Sequence, residues 1–168
     1  ALASGASLSV GCCVGADAAC IQAALAAGGA QQLHVHGIGV LGGGLGGGGG
    51  SRRPWAYGWC SLSNVGEVRA ALAAGAHVHG SAGGPSHLPL AARLIRRSQA
   101  VVLSASALVL FAPGAGSLSV AAFAVAQGRP VFAFGSAPAP VCAGGAWSPS
   151  SLFGLPCWAW QPAQASLF

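Results

Sequence analysis

Three groups of residues in this chain have types and spacings suited to chemistry. Two are glycine-bearing turns, Gly11-Cys12-Cys13-Val14-Gly15-Ala16-Asp17 and Pro113-Gly114-Ala115-Gly116-Ser117. Each follows an apolar run and leads into a stretch with helical character. At such a strand-to-helix turn the free N–H groups and positive dipole end of the helix attract an anion. Gly11, Gly15, Gly114 and Gly116 would let the backbone approach a phosphate closely, Ala16 adds little bulk, and the Ser117 and Ser119 hydroxyls can donate to it. A tight turn that simply needs small residues explains the same pattern. The third group is Arg93, Arg96 and Arg97, spaced i, i+3 and i+4, which share one side of a helix while Leu90, Leu94 and Val101 form an apolar side. With no neighbouring acid in sequence, the trio suits either phosphate or a solvated helix face.

The acids are few. Asp17 reads as a helix N-cap or as a hydrogen-bonding partner of a ligand ribose or base, and Glu67 as the capping-box partner of Asn64. His34-Val35-His36 and His77-Val78-His79 are two H-x-H pairs, and neighbouring strands can gather their four imidazoles. No Cys or acid falls at a suitable spacing, so no metal is expected, and the histidines are expected near strand ends, bonded to loops. Arg52 and Arg53 beside Trp55, Tyr57 and Trp59 suit either stacking of unpaired bases or anchoring of a loop.

Composition removes many chemistries. The 168 residues are 54% hydrophobic and include seven basic and two acidic side chains, a net charge of +5. Glycosidases and aspartic proteases that use paired carboxylates, and two-metal phosphotransferases, need more acid than one Asp and one Glu supply. Disorder is excluded by the apolar content and weak charge. All the basic side chains are arginines, whose planar guanidinium forks onto phosphate oxygens. The six cysteines show no C-x-x-C pair, and free thiols in a reducing cytosol fit them. Cys12 and Cys13, being adjacent, are expected on opposite faces of a strand. The longest apolar stretch, Ala100 to Pro113, is shorter than the ~20 residues that span a bilayer, so a cytoplasmic protein without membrane contact is expected.

The elements that must position these groups alternate. Strands are expected at Ser7 to Cys13, Leu33 to Gly39, Ala76 to Ser81, Ala107 to Ala112 and Val131 to Phe134. Helices are expected at Ala18 to Ala27, after Asn64, from Leu88 to about Ala105, and at Leu118 to Gln127. Near-continuous apolar strands separated by helices predict an α/β fold, a Rossmann-like three-layer sandwich with a mainly parallel sheet of about five strands. Ala1 to Ala6 reads as a last helical turn, so an N-terminal strand-helix unit is expected to be missing. Residues 1–136 would form the ligand-binding domain, with a glycine-rich loop at 42–50. Residues 137–168 would form a Pro/Trp-rich tail. Hydrophobic sheet edges and sparse charge favour a homo-oligomer.

Gly116-Ser117-Leu118, Ala121, Ala124, Gln127-Gly128-Arg129 and Val131-Phe132-Ala133 resemble the GSL-x-x-A-x-x-A-x-x-QGR-x-VFA segment of the DNA-processing protein A (Smf/DprA) family. Gly15-x-Asp17-Ala18-Ala19 and Ala24-Leu25-Ala26-Ala27-Gly28-Gly29 resemble its G-x-DAA…ALAAGG. Together these cover roughly a third of the chain. The wider Rossmann-like superfamily includes cytokinin-activating phosphoribohydrolases and molybdenum-cofactor carriers. The resemblance implies a nucleotide or single-stranded DNA at these turns. The phosphoribohydrolases carry G-x-G-T-x-x-E, but Val120 stands at the position of the Glu, so binding outranks catalysis. The superfamily's ligand-facing R-N pair is matched in part, with Ser98 in place of the Asn.

Gln164-Ala165-Ser166-Leu167-Phe168 resembles the Q-L-[SD]-L-F peptide that binds the sliding clamp of bacterial DNA polymerase III. Gln164 would bond at a groove mouth while Leu167 and Phe168 fill an apolar pocket, and Pro156 and Pro162 keep the segment extended. The expectation is a DNA-processing module with no cofactor, recruited through this peptide. The alternatives are a phosphoribohydrolase or N-glycosidase using Asp17, and a mononucleotide sensor or cofactor carrier.

Overall fold

The computed structural model describes residues 5–13, 15–38, 65–85 and 87–162. The glycine loop 42–50, Arg52, Arg53, Trp55, Tyr57, Trp59, the Asn64 cap, most of the first helical turn and the 164–168 peptide lie outside them. The element order is β1 (Leu8–Val10), α1 (Ala16–Ala26), β2 (Leu33–His36), α2 (Val65–Ala73), β3 (His77–His79), α3 (Leu90–Ser104), β4 (Leu108–Phe111), α4 (Ala115–Ala126), β5 (Val131–Phe134), β6 (Gly145–Leu152) and β7 (Leu155–Pro162). The fold is α/β, and the chain divides into two compact units, Ala1–Val101 and Val102–Phe168.

In the first unit β1, β2 and β3 form a parallel sheet in that order, with Val10 opposite Val35 and Val35 opposite Val78. Leu33 and Val35 are fully buried with Ile21 and Ala24 of α1 and Val68 and Ala71 of α2. The strand pleat then sends His34 and His36 to the other face. α1 stops where Gly28 takes φ 70°, which a side chain resists. Gly28 N–H bonds to the Leu25 carbonyl and Gly29 N–H to the Ala24 carbonyl, the Schellman arrangement.

The second unit has a sheet ordered β4-β5-β7-β6. β4 and β5 are parallel, whereas β7 is antiparallel to both β5 and β6. Val131, Ala133 and Leu110 pack against Ala121 and Ala124 of α4, and Trp160 completes this core. The five expected strands are all present, but β1–β3 and β4–β5 belong to separate sheets rather than to one parallel sheet. The segment expected to be a tail holds a β-hairpin. In β7 the small Cys157 and Ala159 alternate with Trp158 and Trp160, and β6 and β7 join through Phe153 and Gly154, both at positive φ, the pairing that matches hairpin twist. That hairpin supplies the partner for β5. Trp147 and Trp160 meet edge-on at 5.4 Å, and a side chain at Gly145 would collide with the Trp160 ring. Among the described residues, no helix is long and apolar enough to cross a membrane.

Candidate functional site

The β1–α1 turn is built around one guanidinium. β1 ends at Val10, and Gly11 to Cys13, the last a single β-bridge residue, lead from it towards α1. Asp17 does not cap α1: Gly15 occupies the N-cap with no side-chain hydrogen bond, and Asp17 lies inside the first turn. Its Oδ2 accepts from the Cys13 backbone N–H at 3.1 Å and from Arg97 Nη1 at 3.0 Å. Arg97 Nη2 donates to Cys13 Sγ at 2.9 Å. The guanidinium fills the space that a side chain at Gly11 would need, since a Cβ there would lie 1.3 Å from Nη1.

The arginine trio therefore divides. Arg93 and Arg97 are buried, at 6% and 7% exposure, while Arg96 is exposed. Arg93 Nη2 donates to the Ile38 carbonyl at the end of β2. Gly83, whose absent Cβ would touch Arg93 at 3.0–3.1 Å, lets α3 come this close. The expected apolar side of α3 is overturned in part, because Leu90 is 44% exposed while two arginines point inward. A buried charge is tolerated where it is paired, and Asp17 and the carbonyl of Ile38 provide that pairing. Asp17, the only Asp in the chain, was the sequence signal for the Arg97 ion pair.

Cys12 and Cys13 follow the end of β1, Cys12 fully buried and Cys13 half-buried. The Cys12 thiol donating to the Cys13 sulfur pulls the Cys13 thiol down to about 6; the Arg97 charge and hydrogen bond add to this, against burial and Asp17. The Cys12 thiol is pushed up by the same hydrogen bond and by burial. Cys20 on α1 also moves up, through burial and then Asp17. Burial opposes the charge of Arg97, yet Asp17 and the two cysteines outweigh it and raise its pKa.

The β4–α4 turn differs. Gly114 caps α4 in extended conformation without a side-chain hydrogen bond, and α4 has no acid in its first turn. The space beside Gly114 and Gly116 is open, and Ser117 is exposed. The Ser119 hydroxyl donates to the Gly116 carbonyl at 2.8 Å. Ala112, at the end of β4, has φ 43°, a left-handed conformation unusual for alanine. Gly15 and Ala16 are also exposed, with open space beside Gly15. Gly15 belongs to the first unit and Gly116 to the second.

The four histidines of the two H-x-H pairs meet across β2 and β3. β2 and β3 put His34 opposite His77 and His36 opposite His79. Their rings stack, with centroids 4.7 Å apart for His34–His77 and for His36–His79, and His34 Nδ1 lies 3.1 Å from His79 Nε2. Burial, followed by repulsion from His79, His34 and Arg97, lowers the His36 pKa to about 4. Among the described residues no group of three or more His, Cys, Asp or Glu could hold a metal ion. Glu67, expected as a capping partner, accepts from Gln22 Nε2 at 3.2 Å, linking α2 to α1.

Several residues that carry the resemblance have structural work. Gly28-Gly29 and Gly128-Arg129 both end helices by the same two backbone bonds, Gly128 N–H to Val125 and Arg129 N–H to Ala124 in the second case. No protein-family model matches the chain, and no curated protein or solved structure matches it.

Proposed function

We propose that this chain is a DNA-processing-type, Rossmann-like module that seats a phosphate of single-stranded DNA or of a nucleotide at the β4–α4 turn. The observation that carries this reading is the start of α4: unbonded by any capping side chain, free of acid, and open beside both glycines. Ala112, just before this turn, takes the left-handed conformation that alanine rarely adopts. The β1–α1 turn is the weaker seat, because Asp17 sits in the first turn of α1 and Arg97 is already engaged. Residues 164–168 would recruit the module to the sliding clamp of bacterial DNA polymerase III.

The test is a titration of a short single-stranded oligonucleotide and of adenosine monophosphate at several salt concentrations, with the intact chain and with Gly116→Asp. An added carboxylate at the second position of α4 meets open space but repels phosphate. DNA binding should weaken with salt with a slope of about −0.7 per phosphate contacted, and Gly116→Asp should cost at least ~10-fold in affinity. Tight mononucleotide binding with no oligonucleotide binding would favour a sensor. No binding of either at low salt, or equal binding by Gly116→Asp, overturns the reading.

A further inference from the structure

We propose that Cys13 is a redox modification site, a thiolate held in the β1–α1 turn that attacks hydrogen peroxide and becomes a sulfenic acid. It goes beyond phosphate binding, uses a different turn, and stands or falls separately.

Three side chains make the site. Cys13 Sγ receives an N–H from Arg97 Nη2 at 2.9 Å. A guanidinium donor on the sulfur favours its charged form. Asp17 fixes the arrangement from both ends, accepting from Arg97 Nη1 at 3.0 Å and from the Cys13 backbone N–H at 3.1 Å. Arg97 is buried, so its charge acts on the sulfur with little solvent between them, and its Nε atom has no partner. Arg97 is here a positioning residue. His36, on the neighbouring strand, also feels Arg97. The three thiols of this turn and helix are separated by their surroundings: Cys12 is fully buried and pushed up, Cys20 is pushed up, and Cys13 alone is lowered, to about 6, and half-buried. Reactive cysteines sit in such electropositive, partly open places.

In the step, a sulfur lone pair of the Cys13 thiolate attacks one peroxide oxygen. The S–O bond forms as the O–O bond breaks; sulfur is oxidised by two electrons and the peroxide is reduced. The leaving hydroxide takes a proton from solvent and departs as water. Cys12 does not resolve the product to a disulfide, because adjacent Cα atoms lie ~3.8 Å apart and a disulfide takes about 4.4–6.8 Å. The sulfenic acid waits for a thiol from solution. Being neutral, it also releases Arg97 from one of its two anionic partners.

The experiment treats the reduced full chain with hydrogen peroxide in the presence of dimedone and maps adducts by peptide mass spectrometry. In parallel, the iodoacetamide rate at Cys13 is followed against pH in the folded chain and in urea. The adduct should fall on Cys13 and vanish in Cys13→Ser. The alkylation rate should be half-maximal near pH 6 when folded and near ~8.5 in urea. Arg97→Gln should move the folded midpoint up by a unit or more, Arg97→Lys should keep it low, and Asp17→Asn should move it further down by removing a negative neighbour. These opposite signs separate electrostatic tuning from a merely structural role, which would move neither midpoint in a charge-dependent direction. Should Arg97→Gln fail to fold, the Asp17→Asn shift and the comparison with urea decide. A folded midpoint within half a unit of the urea value, or adducts that persist in Cys13→Ser, overturns the proposal.

Discussion

Replacing Gly11 by alanine tests whether the Arg97 guanidinium is the keystone of the first unit. The new methyl would lie 1.3 Å from Arg97 Nη1, 2.4 Å from its Cζ and 2.4 Å from Asp17 Oδ2, so the guanidinium must leave. Gly11 is absent from the positive-φ glycines, so its backbone tolerates alanine and the cost comes from the collision alone. Breaking a buried ion pair costs about 3–5 kcal/mol. The Asp17 side chain is 27% exposed, against 9% for Arg97, which places this pair near or below the lower end. Alanine recovers ~0.5 kcal/mol by restricting the unfolded chain. The net expectation is a loss of roughly 2 kcal/mol. In an Arg97→Ala background the methyl meets only Asp17 Oδ2, a carboxylate no longer held by the guanidinium, and should cost much less. Urea unfolding followed by far-UV circular dichroism, with unchanged slope in every variant, gives the coupling between the two sites. Equal losses in both backgrounds, within ~0.5 kcal/mol, would refute the occupation of Gly11 by Arg97.

Three further outcomes follow from the same geometry. The His36 pKa near 4 lies below the unfolded value of ~6.5, so the unfolded chain binds more protons between them. Stability should be full above about pH 6.5 and decline as pH falls towards 4, by roughly 3 kcal/mol, and His36→Gln should flatten that slope in urea titrations. Gly116→Asp should raise thermal stability slightly, by ~0.5 kcal/mol through the α4 dipole, even as it weakens phosphate binding; a destabilised variant would show that the turn is not open. Deleting residues 164–168 should abolish binding to the bacterial sliding clamp in fluorescence anisotropy while sparing nucleotide binding, and unchanged clamp affinity removes the recruitment reading.

Much of the local architecture was legible. β5 falls at Val131–Phe134 as the apolar run indicates, and glycines mark the ends of α1 and α4 because a left-handed residue is needed to turn the last carbonyls. Strand pairing was not legible. Which edge accepts β5 depends on a hairpin whose strands carry Pro149 and Pro156, residues that read as loop until cross-strand partners are known. The side chains at the candidate site were half legible. Period-3.6 counting placed Arg93, Arg96 and Arg97 together, but it treats arginine as an outward residue and cannot register a cavity made by glycines on another element.

That limit bears on how the two turns should be compared. Both carry glycines before a helix, and by sequence alone they are equivalent anion seats. In the first, the protein supplies its own charge pair: Asp17 and Arg97 meet over Gly11, and Asp17 lies in the first turn of α1. In the second, the helix start keeps its donors unopposed by any acid. The same motif thus meets a buried guanidinium at the first turn and open space at the second. What separates them is one arginine, eighty residues away in the chain from the Asp it pairs with.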